Sequence, residues 1–269
     1  MQPEDIRKIR APGSVSLSPD GRRVAFAVSR IEGSAYRSEI FIAATDGSGS
    51  PHRLTDGIAD SGPRWSPDGA SIAFLRLDAQ GRRQLFVMPA AGGDARQLTD
   101  HPLGVCSPVT ARHARASSAP VWSADSRNVA FTARVPSEAS LRARVPFWRT
   151  ARLRYRTDGS GYTVNTPSHA YLTDVASGET IQITHGEYEH WDVSWHDADT
   201  LLAATARHDD RDLDEAQDVV AIGLDGTVRQ LTRTSTTVNL PTAAPDGSVY
   251  FVGIGNLGPD LNDARGRNV

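Results

Sequence analysis

The segment that decides the fold is Trp65-Ser66-Pro67-Asp68-Gly69, together with the apolar run Ile72-Ala73-Phe74 that follows it. Proline fixes φ ahead of a turn, the aspartate side chain caps the turn, and glycine supplies the positive φ that a tight reversal requires. The residues on both sides are β-prone and spaced as in strands. The segment therefore predicts two antiparallel strands joined by a short hairpin.

Variants of this turn-and-strand pattern recur along the chain, so an internal repeat is its main feature. The other copies open at Ser18-Pro19-Asp20-Gly21, Trp122-Ser123-Ala124-Asp125-Ser126, Trp195-His196-Asp197-Ala198-Asp199 and Ala244-Pro245-Asp246-Gly247. The tryptophans at one position of the unit are Trp65, Trp122 and Trp195. Their recurrence favours packing between neighbouring units over stacking on a ligand.

A second element alternates with the first and adds two more strands to each unit. In one copy Gln84-Leu85-Phe86-Val87 leads through Gly92-Gly93 to Gln97-Leu98-Thr99. Equivalent runs end at Leu54-Thr55, Ile183-Thr184 and Leu231-Thr232. Four short strands in about 40 to 50 residues are typical of one blade of a β-propeller. We therefore predict an all-β fold of four complete four-stranded blades and a partial fifth, in an incomplete ring.

The spacing of the copies predicts the domain organisation, which is a single β-propeller domain over residues 1–269. The predicted blades span about residues 11–60, 61–105, 117–187 and 188–235, followed by a partial blade at 236–255 and a tail at 256–269. The third unit is longer than the others, and its surplus lies between Phe131 and His169. Insertions of this length in a compact repeat are usually functional or disordered.

Composition excludes several other classes of protein. The 269 residues are 39% hydrophobic and 23% charged, which supports a packed core and argues against global disorder. A net charge of -3 argues against nucleic acid or an anionic membrane as the main partner. Cys106 is the single cysteine, so no internal disulfide is possible. Neither a signal peptide nor a membrane span is visible, and we expect a cytoplasmic location.

Three short motifs resemble ligand sites, but each departs from the chemistry that such a site needs. The glycines of 253–258 have dinucleotide-binding spacing without the helix that must follow them. The aspartates of 210–214 begin like a calcium loop that lacks its glycine and glutamate. The histidines His185, His190 and His196 fit no helix face and have no cysteine among them. We therefore predict no catalytic residue, no cofactor and no metal.

The insertion in the third unit resembles a segment of a known peptidase family. Pro146-Phe147-Trp148-Arg149, the arginine-rich run at 152–156 and Asp158-Gly159-Ser160-Gly161-Tyr162 precede His169-Ala170-Tyr171-Leu172. This arrangement is similar to the acylaminoacyl-peptidase branch of the prolyl oligopeptidase family. The opening Pro3-Glu4-Asp5-Ile6 also resembles the start of that branch's propeller, and the turn motifs are shared with TolB-like proteins.

The resemblance implies a specific place for the chain in a larger peptidase. In that family a propeller caps an α/β-hydrolase domain and restricts access to a Ser-Asp-His triad, so that short peptides are cleaved. No serine of this chain lies in the Gly-x-Ser-x-Gly pattern of the nucleophile elbow.

We therefore expect the non-catalytic, substrate-gating propeller portion of a serine peptidase, truncated and inactive alone. The expected partners are a separate or missing hydrolase domain, the remaining blades and, in the full-length protein, a peptide substrate. The alternative is a TolB-like propeller scaffold that binds a protein or a peptide.

The arginine-rich insertion is the candidate functional segment. Its candidate residues for a substrate path or a domain interface are Arg149, Arg152, Arg154, Arg156 and Tyr162. A guanidinium at such a place can bind a peptide carboxylate through two parallel hydrogen bonds. Ordinary structural ion pairing along the insertion also explains these residues, and their number and spacing favour it over the substrate-path role. Aromatic residues between the arginines also fit single-stranded nucleic acid, but the acidic balance of the chain argues against that partner.

Overall fold

The structure is a computed structural model, and β-strands are its main regular element. The described residues are 2–106, 119–137, 152–153, 155–157, 161–162, 166–214 and 216–254. The 3₁₀ helix Pro3–Lys8 is the only helical element among them. Two compact units divide the chain. Unit 1 consists of Met1–Val105, Ala119–Val129 and Thr173–Thr180, and unit 2 consists of Cys106–Ser118, Ala130–Leu172 and Ile181–Val269.

The strands are numbered β1 to β20 in chain order and form four four-stranded sheets. The first, in the order β1-β2-β3-β4, consists of Arg10–Leu17, Arg23–Glu32, Ala35–Ala44 and His52–Arg53. The second, β5-β6-β7-β8, consists of Ser61–Trp65, Ser71–Leu77, Arg83–Pro89 and Arg96–Gln97. The fourth, β15-β16-β17-β18, consists of His190–Trp195, Thr200–Thr205, Asp218–Gly223 and Val228–Gln230. All strand pairs in these three sheets are antiparallel.

The third four-stranded sheet is interrupted in sequence by the insertion. Its order is β14-β13-β10-β9, and its strands in chain order are Val121–Trp122, Asn128–Arg134, Ser168–Asp174 and Thr180–Gln182. The insertion itself contributes the short hairpin of β11, Arg156–Thr157, and β12, Gly161–Tyr162. A last two-stranded sheet pairs β19, Thr237–Ala243, with β20, Val249–Ile254. The prediction of four four-stranded sheets and a partial fifth is confirmed, and the predicted blade boundaries stay predictions.

In three of the five turn copies, a serine hydroxyl holds the hairpin together. Ser66 Oγ accepts the backbone N–H of Ser71 at 2.9 Å and lies 2.5 Å from Asp68 Oδ1, to which it donates. The same pair of hydrogen bonds recurs in the copies that contain Ser18 and Ser123. The motif therefore closes a hairpin through side chains as well as through the backbone, which explains why serine precedes the turn.

The threonine of the Leu-Thr element satisfies a backbone group of the third strand in each four-stranded sheet. Thr99 Oγ1 accepts the N–H of Leu85 at 2.9 Å and donates to Gln84 Oε1 at 2.9 Å. In the other sheets Thr55, Thr184 and Thr232 accept the N–H groups of Ile40, Ala170 and Val219 respectively. Because a buried N–H group without a partner is costly, the threonine is a structural requirement of the repeat.

A β-bulge marks the first strand of most sheets. Its central residue lies four positions before the serine position of the turn motif, which is Ser66 in the second sheet. The register shifts lie between Gly13 and Val15, Ser61 and Arg64, Trp191 and Ser194, and Asn239 and Thr242. The residues at the bulges are Ser14, Gly62, Asp192 and Leu240, with φ of 48°, 60°, 53° and 52°. A residue in this left-handed region bends the strand and strengthens its twist. Only one of the four is glycine.

Apolar side chains of the strands form the cores of both units. In unit 1, Trp65 packs in a buried cluster with Phe74 and Ile40, and Arg23 lies over its ring. Trp122 is also buried, and its indole N–H donates to the carbonyl of Arg64 at 3.0 Å. The predicted packing role therefore holds for these two tryptophans. Trp195, at the third such position, is only half-buried.

Replacing Thr99 with valine is expected to lower the free energy of unfolding by about 1 to 3 kcal/mol, because the Leu85 N–H loses its acceptor while the side-chain shape is kept. Thr99→Ser, which keeps the hydroxyl, is the matched control and should lose less. Chemical denaturation followed by tryptophan fluorescence measures both variants. A valine variant as stable as the serine variant would contradict this role of the hydroxyl.

Candidate functional site

The residues predicted from the arginine-rich insertion differ in how far the structure describes them. Arg152 has a described side chain. Arg156 and Tyr162 pair through their backbones in the β11–β12 hairpin. Arg149 and Arg154 lie outside the described residues. Their predicted place on a substrate path or a domain interface stays a prediction.

Arg152 forms a bidentate ion pair with Asp212, which lies in the loop between β16 and β17 of the fourth sheet. Nε donates to Oδ2 at 2.7 Å and Nη2 donates to Oδ1 at 2.6 Å. The backbone N–H of Leu153 also donates to this carboxylate, at 3.2 Å. Hydrogen bonding to Asp212 raises the pKa of Arg152. The carboxylate therefore attaches residues 152–153 of the insertion to this loop.

Two arginines from the same loop lie on one tyrosine ring, and these three residues are called the arginine–tyrosine cluster. The Cζ atoms of Arg207 and Arg211 lie 4.8 Å and 4.9 Å from the ring centroid of Tyr188, which precedes β15. Arg211 is fixed further, because it donates to Glu187 at 3.0 Å and to the carbonyl of His208 at 3.1 Å. Arg207, by contrast, is exposed.

A pair of buried histidines lies beside this cluster in unit 2. His169 on β13 and His190 on β15 are 1% and 0% exposed, and their ring centroids are 5.7 Å apart. His169 Nε2 lies 3.1 Å from the carbonyl of Gly186, and its Nδ1 lies 3.0 Å from Thr184 Oγ1. Since a carbonyl only accepts, Nε2 of His169 carries the proton and the threonine donates to Nδ1.

His190 differs from His169, because neither ring nitrogen has a hydrogen-bond partner of normal geometry among the described residues. Burial, with smaller contributions from His169 and Arg207, lowers the pKa of His190 to about 3. His190 is therefore neutral at physiological pH. Of the other predicted histidines, His185 lies 6.5 Å from His169 between ring centroids, and His196 contacts Asp197 at 2.9 Å.

Asp192 is an acidic residue that the sequence analysis did not single out. It occupies the bulge of β15 and is 7% exposed, and its Oδ2 accepts the N–H of Leu240 at 3.0 Å. Leu240 is the bulge residue of β19. Burial raises the pKa of Asp192, and the hydrogen bond from Leu240 opposes this only in part. The only sequence signal for this acid is its place four residues before a turn motif, where other copies carry different residue types.

The part of the chain that the structure describes contains neither a metal-binding cluster nor a membrane-spanning helix. No group of three or more histidine, cysteine, aspartate or glutamate residues there has the arrangement to hold a metal ion. No helix in this part is long and apolar enough to cross a bilayer. The predicted lack of a metal and the predicted cytoplasmic location stay predictions. The chemistry that the described side chains offer is the recognition of an anion by arginine.

Consecutive four-stranded sheets with repeated turns, bulges and threonine contacts define a β-propeller-type protein. No family model matches the chain. Over 201 residues it is 30% identical to the uncharacterized peptidase YuxL of Bacillus subtilis, a match that covers 71% of this chain and 29% of YuxL. The chain thus spans less than a third of that relative.

Solved structures show the same fold. The acylaminoacyl peptidase of Pyrococcus horikoshii matches with a TM-score of 0.65 and 19% identity, over 86% of this chain and 34% of that one. A TolB-like protein of Agrobacterium tumefaciens matches with a TM-score of 0.61 and 19% identity, over 94% and 73% of the two chains. The propeller fold predicted from the repeats is confirmed, and so is the predicted similarity to the propeller portion of prolyl-oligopeptidase-type peptidases.

Asp192→Asn is expected to raise the free energy of unfolding at pH 7, because the buried carboxylate at the bulge costs stability. Because the pKa of Asp192 is raised in the folded state, ionisation above its usual value of 3.8 destabilises that state, and the penalty persists at neutral pH. Asparagine stays uncharged, still accepts the Leu240 N–H and tolerates the left-handed region. Below pH 3.8 both variants are neutral at this position, so the difference between them should vanish.

Urea unfolding of the parent and of Asp192→Asn between pH 3 and pH 8 measures this effect, and Asp209→Asn, at an exposed position, is the matched control. A stability difference that is the same at every pH, or that appears equally in the control, would rule out the buried charge as its cause.

Proposed function

We propose that the chain is the non-catalytic, substrate-gating propeller portion of a serine peptidase of the prolyl oligopeptidase type, and that it does not cleave peptides alone. The observation that carries this proposal is the match to a peptidase that covers most of this chain but only 29% of the relative. The absence of a Gly-x-Ser-x-Gly serine from the sequence supports the second part, because the nucleophile of this family lies in that pattern.

Exposed apolar side chains on the first and last sheets support the proposal that further blades belong to the assembly. Val15 and Leu17, on one face of β1, are 64% and 57% exposed. Tyr250 and Val252, on one face of β20, are 58% and 53% exposed. Neighbouring blades cover such faces in propellers, as shown in unit 1 by the buried Trp65 of the second sheet.

The arginine-rich insertion belongs to the same proposal as the substrate-path or domain-interface segment. Its attachment through Arg152 and Asp212 supports this role, because a bidentate ion pair orients the segment that carries the other candidate arginines. A propeller that gates a peptidase needs such an ordered loop wherever substrate or the catalytic domain approaches.

The first test is the activity of the purified chain on acyl-peptide and aminoacyl chromogenic substrates. We expect no turnover and no labelling by a fluorophosphonate. Hydrolysis that a serine-directed inhibitor abolishes would contradict the lack of a nucleophile. Hydrolysis that survives this inhibitor but is abolished by a chelator would instead support a metal-dependent enzyme.

The second test concerns the catalytic partner. The DNA that follows this reading frame is examined for a Gly-x-Ser-x-Gly pattern with later aspartate and histidine codons, and its product is expressed together with the chain. We expect the two polypeptides to purify together, and the complex to cleave short peptides while sparing a folded protein. If the hydrolase discriminates equally well without the chain, or if no such frame exists, the gating role is wrong.

The Arg152–Asp212 pair provides a sharper version of this test. Asp212→Ala releases the insertion and is expected to lower the selectivity of the complex for short peptides, whereas Asp209→Ala, an exposed aspartate of the same loop, should not. If both variants have the same selectivity for short peptides, the insertion is not part of the proposed gate.

Fractionation of the source cells tests the predicted cytoplasmic location.

A further inference from the structure

Arg207 combines a fixed position with unused hydrogen-bonding capacity. Its guanidinium carbon lies 4.8 Å from the centroid of the Tyr188 ring. Among the described residues it has no hydrogen-bond or ion-pair partner, and the side chain is exposed. Arginine on an aromatic face is held by cation–π attraction while its in-plane N–H donors stay available. The residue is therefore oriented for a ligand that accepts hydrogen bonds.

Other polar groups next to Arg207 also lack partners. Nε of Arg211, on the same tyrosine ring, is buried without a hydrogen-bond partner among the described residues. Both ring nitrogens of the fully buried His190 also lack a hydrogen-bond partner of normal geometry among the described residues, and the backbone of Tyr188 makes a weaker hydrogen bond to the ring. Because buried polar groups in folded proteins are almost always hydrogen-bonded, three adjacent residues with unused capacity indicate a place that a polar ligand or water completes.

The charge balance of the cluster selects the kind of ligand. Glu187 neutralises Arg211 through a contact of 3.0 Å, so Arg207 is the uncompensated cation. One open guanidinium beside a neutral imidazole matches a ligand with a single negative charge. The two parallel N–H donors of a guanidinium match the two oxygens of a carboxylate in geometry. A phosphate dianion would need a second open cation.

We propose that the arginine–tyrosine cluster, Tyr188, Arg207 and Arg211, is a binding site for a carboxylate group, in which Arg207 donates two parallel hydrogen bonds to the ligand. Tyr188 positions the guanidinium of Arg207, and Arg211, whose charge Glu187 neutralises, makes the other contact to the same ring. On the proposed peptidase-related function, the natural carboxylate is the C-terminus of a peptide. The identity of this natural ligand rests on the proposed function, whereas the carboxylate site itself does not.

The test compares N-acetylglycine with N-acetylglycinamide, two probes that differ only in the carboxylate. Both are titrated into the full chain labelled with ¹⁵N, and the arginine Nε–H signals are followed by NMR. We expect a saturable shift of the Arg207 signal with the carboxylate probe, and none with the amide. Binding measured from signals other than that of Arg207 should weaken at least tenfold in Arg207→Gln and less in Arg207→Lys.

Two further variants separate recognition from fold. Arg229→Gln removes an exposed arginine of β18 and should leave the affinity unchanged. Tyr188→Leu keeps an apolar side chain but removes the aromatic face, and it should weaken binding several-fold while Arg207 is still present. Thermal melting of each variant shows whether the fold is retained, and we expect Arg207→Gln to melt like the parent because Arg207 is exposed.

Equal affinity for the acid and the amide, or an affinity that Arg207→Gln leaves unchanged, would overturn the proposal. Tighter binding of inorganic phosphate than of N-acetylglycine would replace the carboxylate site by a phosphate site. The binding assay needs neither a hydrolase domain nor turnover. If N-acetylglycine does not bind, the peptidase proposal is unaffected. If the chain alone hydrolyses peptides, the measured affinity for the carboxylate probe is likewise unaffected.

Discussion

One backbone N–H group in the third strand of each four-stranded sheet, that of Ile40, Leu85, Ala170 or Val219, depends on a threonine hydroxyl. This hydroxyl lies on the segment that leads out of the fourth strand, so the bond determines where that strand can lie. In the second and third sheets the same hydroxyl also binds the side chain before it, Gln84 or His169. One group thus satisfies a buried backbone donor and orders a buried polar side chain, which hydrophobic packing alone cannot do.

In the third sheet this bond connects the fold to the candidate site. Thr184 holds the ring of His169, and His169 lies against His190 at the start of β15. Tyr188 lies two residues before His190, and the two arginines on its ring come from the loop after β16. The same loop attaches the insertion through Asp212. The threonine hydrogen bond that each four-stranded sheet contains is thus linked, through His169 and His190, to the loop after β16 and to the insertion.

Local chemistry explains which parts of the fold the sequence predicts. The Ser-Pro-Asp-Gly turns are encoded within five residues, so their hairpins follow directly from residue type. The Leu-Thr runs are recognisable as strands, but the acceptor role of Thr99 depends on Leu85, which lies on another strand. The bulges are invisible in the sequence because Ser14, Gly62, Asp192 and Leu240 share a backbone conformation and no side-chain chemistry.

The site is less predictable than the fold because its contacts join distant segments. Arg152 was a candidate because it lies in the arginine-rich insertion, but its partner Asp212 lies 60 positions away, in a motif that resembles a calcium loop. Tyr188 and Arg207 belong to no motif, Arg211 is not one of the aspartates that define the 210–214 motif, and only folding brings the ring and the guanidinium groups together. Burial, which lowers the pKa of His190 and raises that of Asp192, is also a property of the folded chain.

The bulge position shows how a repeat can diversify without losing its shape. The paired residues before and after the bulge fix its backbone conformation. Different residue types can therefore occupy the position, and serine, glycine, aspartate and leucine are found there. One copy has placed a carboxyl group at this point, bonded to the equivalent point of the following copy. Duplicated modules of this kind contain several equivalent positions at which a new polar group can arise in one module while the strand pairing of the others is kept.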